Sequence, residues 1–215
     1  MLRLPFNIKF GLSKRKKIPI IWMFERNLLS HQVLHILASS RWLKIVDRDN
    51  ESQTIELYGR QLRLLNSCFL ALANEWKIWE RYYLPNFSLD GKIVLDIGAG
   101  CGETAFFYLL NGARKIVTIE PNREATECLR ENAKRNNWNV EIIQEVFKLE
   151  HFNIPHDFMK MDIEGHEKEL LKVPYNKPCI VEVHSDEIRR KFEEKGFKTT
   201  YTYKKGNYIV SFTPK

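Results

Sequence analysis

The sequence predicts an α/β fold, a largely parallel β-sheet with helices on both faces. Three observations predict it. From residue 89 onward, short apolar runs alternate with amphipathic, charge-rich stretches. The first of these runs opens directly into a glycine-rich turn, Gly98-Ala-Gly100-Cys-Gly102. The last two runs, Phe197–Tyr203 and Tyr208–Phe212, are separated only by Lys204-Lys205-Gly206-Asn207, a hairpin signal. Strands that are apolar throughout need cover on both faces, which is the condition of a parallel sheet. The hairpin makes the final pair antiparallel.

Taken in order, residues 1–88 form a mixed segment. Leu29 to Val46 spaces Leu29, Val33, Leu34, Ile36, Leu37 and Leu43 as one face of a helix, with Ser30 as its N-cap. Gln53–Tyr58 and Gln61–Leu65 flank Gly59-Arg60 and predict a β-hairpin. Asn66 to Tyr83 predicts a second helix with Leu70, Leu72, Trp76 and Trp79 facing a core, ended by Pro85. The regular part then follows. Lys92–Ile97, Lys115–Glu120, Val140–Ile143, Asp157–Asp162 and Cys179–His184 are the predicted parallel strands. Glu103–Asn111, Arg123–Asn136, Glu167–Lys172 and a charged stretch through Lys195 are the predicted helices.

Composition bounds the reading. With 215 residues, 44% hydrophobic and 12% aromatic, the chain can bury the core of one domain plus an accessory piece. Its net charge of +7 is unevenly placed. Residues 1–88 hold 14 basic and 7 acidic side chains; residues 89–215 hold 20 of each. This divides the chain into a basic N-terminal cap, 1–88, and a neutral domain, 89–215. Such asymmetry suggests a polyanion or an acidic surface as a partner. Lys14–Lys17 and the arginines at 41, 48, 60, 63 and 81 are the candidate patch, with Trp22, Trp42, Trp76 and Trp79 as stacking platforms. The competing reading, favoured by their helical spacing, makes most of these tryptophans core. The apolar run Ile18–Phe24 is far short of the roughly 20 residues of a membrane span, so a soluble, cytoplasmic protein is expected. Cys68, Cys101, Cys128 and Cys179 show no CxxC or Cys/His clustering, which argues against a zinc site or a disulfide framework.

The glycine turn carries the strongest chemical signal. Glycines there permit a tight turn and let the backbone approach a ligand that a Cβ would displace. A dinucleotide fingerprint requires G-x-G-x-x-G/A, but Glu103 occupies the third position and sets a carboxylate where a pyrophosphate would rest. Asp96, just before the turn, suits a cationic group. Glu120 ends the next strand, at the distance where an acidic side chain accepts hydrogen bonds from ribose hydroxyls. S-adenosylmethionine (AdoMet) fits such a ligand: a ribose, an amino group and no required phosphate. The competing reading is a purely structural glycine turn.

Asp96-Ile-Gly-Ala-Gly-Cys-Gly102 and Glu120-Pro121-Asn122 resemble the cofactor motifs of the Rossmann-like class I AdoMet-dependent methyltransferases. The resemblance covers most of residues 89–215. It implies seven strands in the order 3-2-1-4-5-7-6, the seventh antiparallel. It also implies that Asp96, Gly98, Ala99 and Gly100 hold the amino-acid portion of the cofactor. Glu120, with Pro121 and Asn122, would take the ribose. Gln144 and Glu145 would lie at the adenine, and Asp162 would border the cofactor.

In an open α/β sheet, ligands sit beyond the carboxyl ends of the strands. There the fourth strand continues into Asp162-Ile-Glu164-Gly-His166, and the fifth ends at His184. Asp162, Glu164, His166 and His184 are therefore the candidate catalytic groups, any of which could take a proton from a methyl acceptor. Asp162, Glu164 and His184 could also hold a divalent ion, but no tight sequence cluster demands one, and no metal is assigned. The segment Asp157–Glu167 resembles the FkbM-type subgroup, as do the 53–65 hairpin and Glu182-x-His184. That resemblance implies O-methylation of a hydroxyl on a small molecule or sugar. The absence of an Asn/Asp-Pro-Pro-aromatic motif and of a cysteine after the fourth strand disfavours nucleobase amine or C5 chemistry. Two other readings stand beside it: an RNA methyltransferase gripping nucleic acid through the basic region, and a non-catalytic cofactor-binding protein.

Overall fold

The computed structural model describes residues 43–202 and 206–214. The predicted helix from Leu29 through residue 42, with Ser30, and the residues Lys14–Lys17, Trp22, Arg41 and Trp42 lie outside them. The chain divides into two compact units between Lys77 and Ile78.

The described part of the first unit begins with three antiparallel strands, β1 (Leu43–Arg48), β2 (Ser52–Leu57) and β3 (Arg60–Leu65), in that order. The predicted hairpin is present, but its turn residues are Tyr58-Gly59, one position earlier than expected. Both have positive φ, 49° and 73°, as the tight turns that match strand twist require. Ile55, Leu57, Leu62 and Leu64 are fully buried on one face. β1 corrects a prediction: Leu43–Val46 is strand, not the end of a helix. Leu43 and Ile45 pair with Leu57 and Ile55, so ladder bonds decide a segment whose apolar residues fit either period. Helix α1 (Asn66–Tyr82) follows. Leu72, Trp76 and Trp79 are buried as expected, while Phe69 takes the buried place assigned to Leu70. Trp76 and Trp79 are 6% and 2% exposed, too enclosed to stack on a base.

In the second unit, seven strands form one sheet: β4 (Ile93–Ile97), β5 (Lys115–Ile119), β6 (Val140–Ile143), β7 (Phe158–Met161), β8 (Cys179–Val183), β9 (Lys198–Thr202) and β10 (Tyr208–Phe212). Their spatial order is β6-β5-β4-β7-β8-β10-β9, which is the expected 3-2-1-4-5-7-6 when counted from β4. The pairs from β6 to β8 are parallel, and β10 runs antiparallel to both β8 and β9. Helices α2 (Glu103–Leu110), α3 (Arg123–Asn136) and α4 (Asp186–Glu194) connect them, with 3-10 turns at Leu149–Asn153 and Glu167–Lys172. Asn122 and Ser185 cap α3 and α4 by accepting from Ala125 and Ile188 N–H, each cap worth about 1 kcal/mol. The core runs through Leu95, Ile97, Val117, Ile119, Met159, Met161, Val181 and Val183. No helix among the described residues is long and apolar enough to cross a membrane.

At the amino ends of the strands, His156 is buried and neutral. Its Nδ1 donates to Ile154 O at 2.6 Å, so Nε2 accepts from the Tyr175 hydroxyl at 2.8 Å. Burial first, and Lys177 besides, hold its pKa below the ordinary 6.5. A depressed histidine contributes stability that is present above the unfolded pKa and is lost as pH falls through the folded one. Urea unfolding at a series of pH values is therefore expected to show stability falling below about pH 6.5, and His156→Gln should flatten that slope.

Candidate active site

The register of the parallel strands builds the site. Asp96 of β4 lies opposite Lys160 of β7, and Ile97 opposite Met161. Beyond those pairs the two chains part at Gly98 and Asp162. A Cβ on Gly98 would sit 1.8 Å from the Asp162 carbonyl oxygen, a backbone atom, and φ there is +79°. Only glycine fits. Gly102, at φ +90°, similarly leaves room for Leu129, which a Cβ would meet at 2.3 Å.

Under the loop lies a buried charge pair. Lys160, 1% exposed, donates to Gly98 O at 2.7 Å and stands 3.3 Å from Asp96 Oδ1 and 4.0 Å from Asp162 Oδ2. Asp96 is fully buried, and its Oδ2 accepts from the Thr104 hydroxyl at 2.6 Å. Burial raises the Asp96 pKa above the ordinary carboxylate value, against the opposing pull of Lys160 and Thr104. Burial would lower Lys160, but Asp96, Asp162 and Glu182 outweigh it and hold the ammonium above its ordinary range. The asymmetry follows from the neighbours: Lys160 faces three carboxylates, Asp96 one cation. The Tyr83 ring centroid lies 5.8 Å from the ammonium, and the Tyr83 hydroxyl donates to Glu182 Oε2 at 2.7 Å.

Glu120 sits at the end of β5, 9% exposed. Its Oε2 accepts from Gly100 N–H at 2.9 Å and its Oε1 from Asn122 N–H at 2.9 Å. Each oxygen keeps a second lone pair. Two backbone donors thus hold an acceptor carboxylate in one orientation beside the glycine turn. Ala99 is buried and its carbonyl closes the turn by accepting from Gly102 N–H at 2.9 Å. Pro121 and Asn122 are exposed; the Asn122 side chain is spent on the α3 cap. Gln144 and Glu145 follow β6 on the same rim, both exposed, accepting from Arg130 at 3.0 Å and Lys148 at 2.6 Å.

A second cluster gathers around His184. Its Nε2 lies 3.7 Å from Asp162 Oδ1, 3.6 Å from Glu164 Oε2 and 3.9 Å from Glu182 Oε1. Its Nδ1 faces Glu167 Oε1 at 3.5 Å. The Glu167 carboxylate against Nδ1, then Asp162 and Glu164, push the imidazole pKa up to about 9. At neutral pH this histidine is charged and donates, so in this arrangement a carboxylate is better suited than His184 to take a proton. Asp162, Glu164 and His184 come together as the sequence predicts. His166 does not: it is exposed, and its backbone occupies the N-cap position of the 3-10 turn.

Four groups were not assigned from the sequence. Lys160 could have been found as a lysine inside the otherwise apolar run Phe158–Met161. Glu182 could have been found as a carboxylate inside Cys179–Val183. Glu167 and Tyr83 carry no such signal, since their burial depends on tertiary packing.

No family model matches the chain. Among curated proteins, a ribosomal protein L11 methyltransferase of Enterobacter sp. (strain 638) is 33% identical over 81 residues, 38% of this chain and 26% of that protein. The match thus spans about a quarter of the relative's length. Among solved structures, M. jannaschii TYW2 in complex with AdoMet overlays at a TM-score of 0.51 and 18% identity, covering 78% of this chain and 87% of that one. SMU.776, complexed with SAH, overlays at 0.53 and 12% identity, covering 77% of this chain and 56% of that one. At these identities the likeness is one of fold.

Proposed function

We propose that this chain, which has the fold of the class I AdoMet-dependent methyltransferases, binds AdoMet and transfers its methyl group to an RNA acceptor. The observation that carries the cofactor reading is Glu120, held by the N–H groups of Gly100 and Asn122 at the rim of the glycine turn. That geometry presents two free lone pairs to a pair of vicinal hydroxyls, as a ribose offers. Both overlaid structures carry AdoMet or SAH, which supports the same ligand. Asp96, Gly98, Ala99 and Gly100 would receive the amino-acid portion, and Gln144 and Glu145 the adenine. Asp162, Glu164, Glu182 and His184 would meet the acceptor. Their part is to align the nucleophile with the methyl group, a carboxylate among them taking its proton.

For the acceptor, the comparisons support the macromolecular alternative over a small molecule or sugar. The curated relative is named for a ribosomal protein, a macromolecular acceptor; the choice of RNA rests on the net charge of +7, all of it in residues 1–88. Arg60 and Arg81 are exposed. The FkbM-type likeness rests on Asp157–Glu167, the hairpin and Glu182-x-His184 alone. Binding of a labelled single-stranded RNA across a salt series tests the acceptor. Log affinity should fall with log salt at a slope of about −0.7 per phosphate contact, and tritiated AdoMet should label the RNA. A flat salt dependence, or label entering only small molecules, contradicts the RNA reading. AdoMet binding with no label in any acceptor points to the non-catalytic reading.

A further inference from the structure

We propose that Asp162, Glu182 and His184 form a divalent-cation site on the acceptor rim, suited to a first-row ion such as Mn²⁺. One ligand atom from each lies within 4.8 Å of the other two. Asp162 directly follows β7, Glu182 lies in β8 and His184 directly follows it, so two adjacent strands of the sheet hold the three. Donors bound at about 2.1 Å stand roughly 3 to 3.5 Å apart around a common ion. The separations of 3.7 and 3.9 Å from His184 Nε2 to Asp162 Oδ1 and Glu182 Oε1 reach that range with roughly 0.2 to 0.9 Å of closure. Two carboxylates balance the charge of a dication, and a donor set of one imidazole with two carboxylates suits Mn²⁺.

A second observation points the same way. Glu167 is 0% exposed, and its Oε2 has no hydrogen-bond partner among the described residues. Its Oε1 accepts from His184 N–H at 3.0 Å and faces Nδ1 of the same ring. A buried carboxylate behind an imidazole is the arrangement that orients a metal-ligating histidine, leaving Nε2 for the ion. Cation binding releases the Nε2 proton. Glu164, 86% exposed at its side chain and 3.6 Å from Nε2, lies at the open side and gives an entry path.

The site also removes a conflict in the proposed function, on which its role, though not its existence, rests. Asp162, Glu164, Glu167 and Glu182 repel a phosphate-bearing acceptor, and a dication in their midst offsets that repulsion. The test is titration of chelator-treated protein with Mn²⁺, read by the loss of the free-ion electron paramagnetic resonance signal. One ion per chain is expected. His184→Gln and Asp162→Asn should abolish tight binding, and Glu167→Gln should weaken it by about 10- to 100-fold. Far-UV circular dichroism confirms that each variant is folded. Wild-type protein that takes up no Mn²⁺ at millimolar concentration overturns the site, as do folded His184→Gln and Asp162→Asn proteins that bind like wild type. A parallel AdoMet titration separates the two claims. Protein that binds AdoMet but no Mn²⁺ contradicts the cation site alone; protein that binds Mn²⁺ but no AdoMet contradicts the proposed function alone.

Discussion

Lys160→Met is expected to destabilise the fold by about 3–5 kcal/mol, the usual cost of removing one partner from a buried ion pair. The methionine fills a similar volume, so packing is not the cause. What is lost is the counter-charge of Asp96, which is fully buried, and the donor to Gly98 O. Asp96 must then either keep an uncompensated charge or take up a proton. Chemical denaturation measures the loss. The control is the double variant Asp96→Asn/Lys160→Met, which removes both charges and should be less destabilised than the sum of the single variants. Additivity would mean that the two side chains do not act as a pair. Lys160 also joins stability to the candidate site, because the same ammonium fixes the carbonyl of the first loop glycine.

Glu120→Ala is expected to weaken AdoMet binding by on the order of 100-fold, about 2.8 kcal/mol at 1.4 kcal/mol per tenfold. Hydrogen bonds to a charged acceptor are each worth about 1.5–3 kcal/mol, and the carboxylate offers two. The variant also frees Gly100 and Asn122 N–H from their acceptor. Part of the loss is therefore a looser turn rather than a missing ribose contact. Glu120→Gln keeps one acceptor oxygen and should fall between alanine and wild type.

Most of the sheet was legible because its signals are local. The bounds of Arg123–Asn136, Val140–Ile143 and Tyr208–Phe212 follow directly from apolar runs, caps and turns. The glycine turn and Glu120 were legible for the same reason: one strand, one turn and one helix start carry them. Segments whose state depends on a distant partner were harder. Leu43–Val46 suits a helix until Ile55 and Leu57 pair with it. His166 and His184 look equivalent in the sequence, yet the fold sets one among four carboxylates and leaves the other in solvent. Lys160 pairs with Asp96 only through the β4–β7 register. That neighbouring relation spans 64 positions of sequence and leaves no trace in either segment alone.

Charge follows the same division. Residues 89–215, which carry the recognisable motifs, are neutral overall, and the rim around His184 is locally acidic. The surplus that suggests a polyanionic partner belongs to residues 1–88. The two features are compatible if grip and chemistry are separate tasks.

The Gly98–Glu120 constellation is proposed as an AdoMet site, which calorimetric titration of wild type and Glu120→Ala with AdoMet tests. One AdoMet per wild-type chain is expected, with a folded Glu120→Ala protein of affinity lower by on the order of 100-fold. No binding by wild type at millimolar AdoMet, or equal affinity in the two proteins, would contradict it.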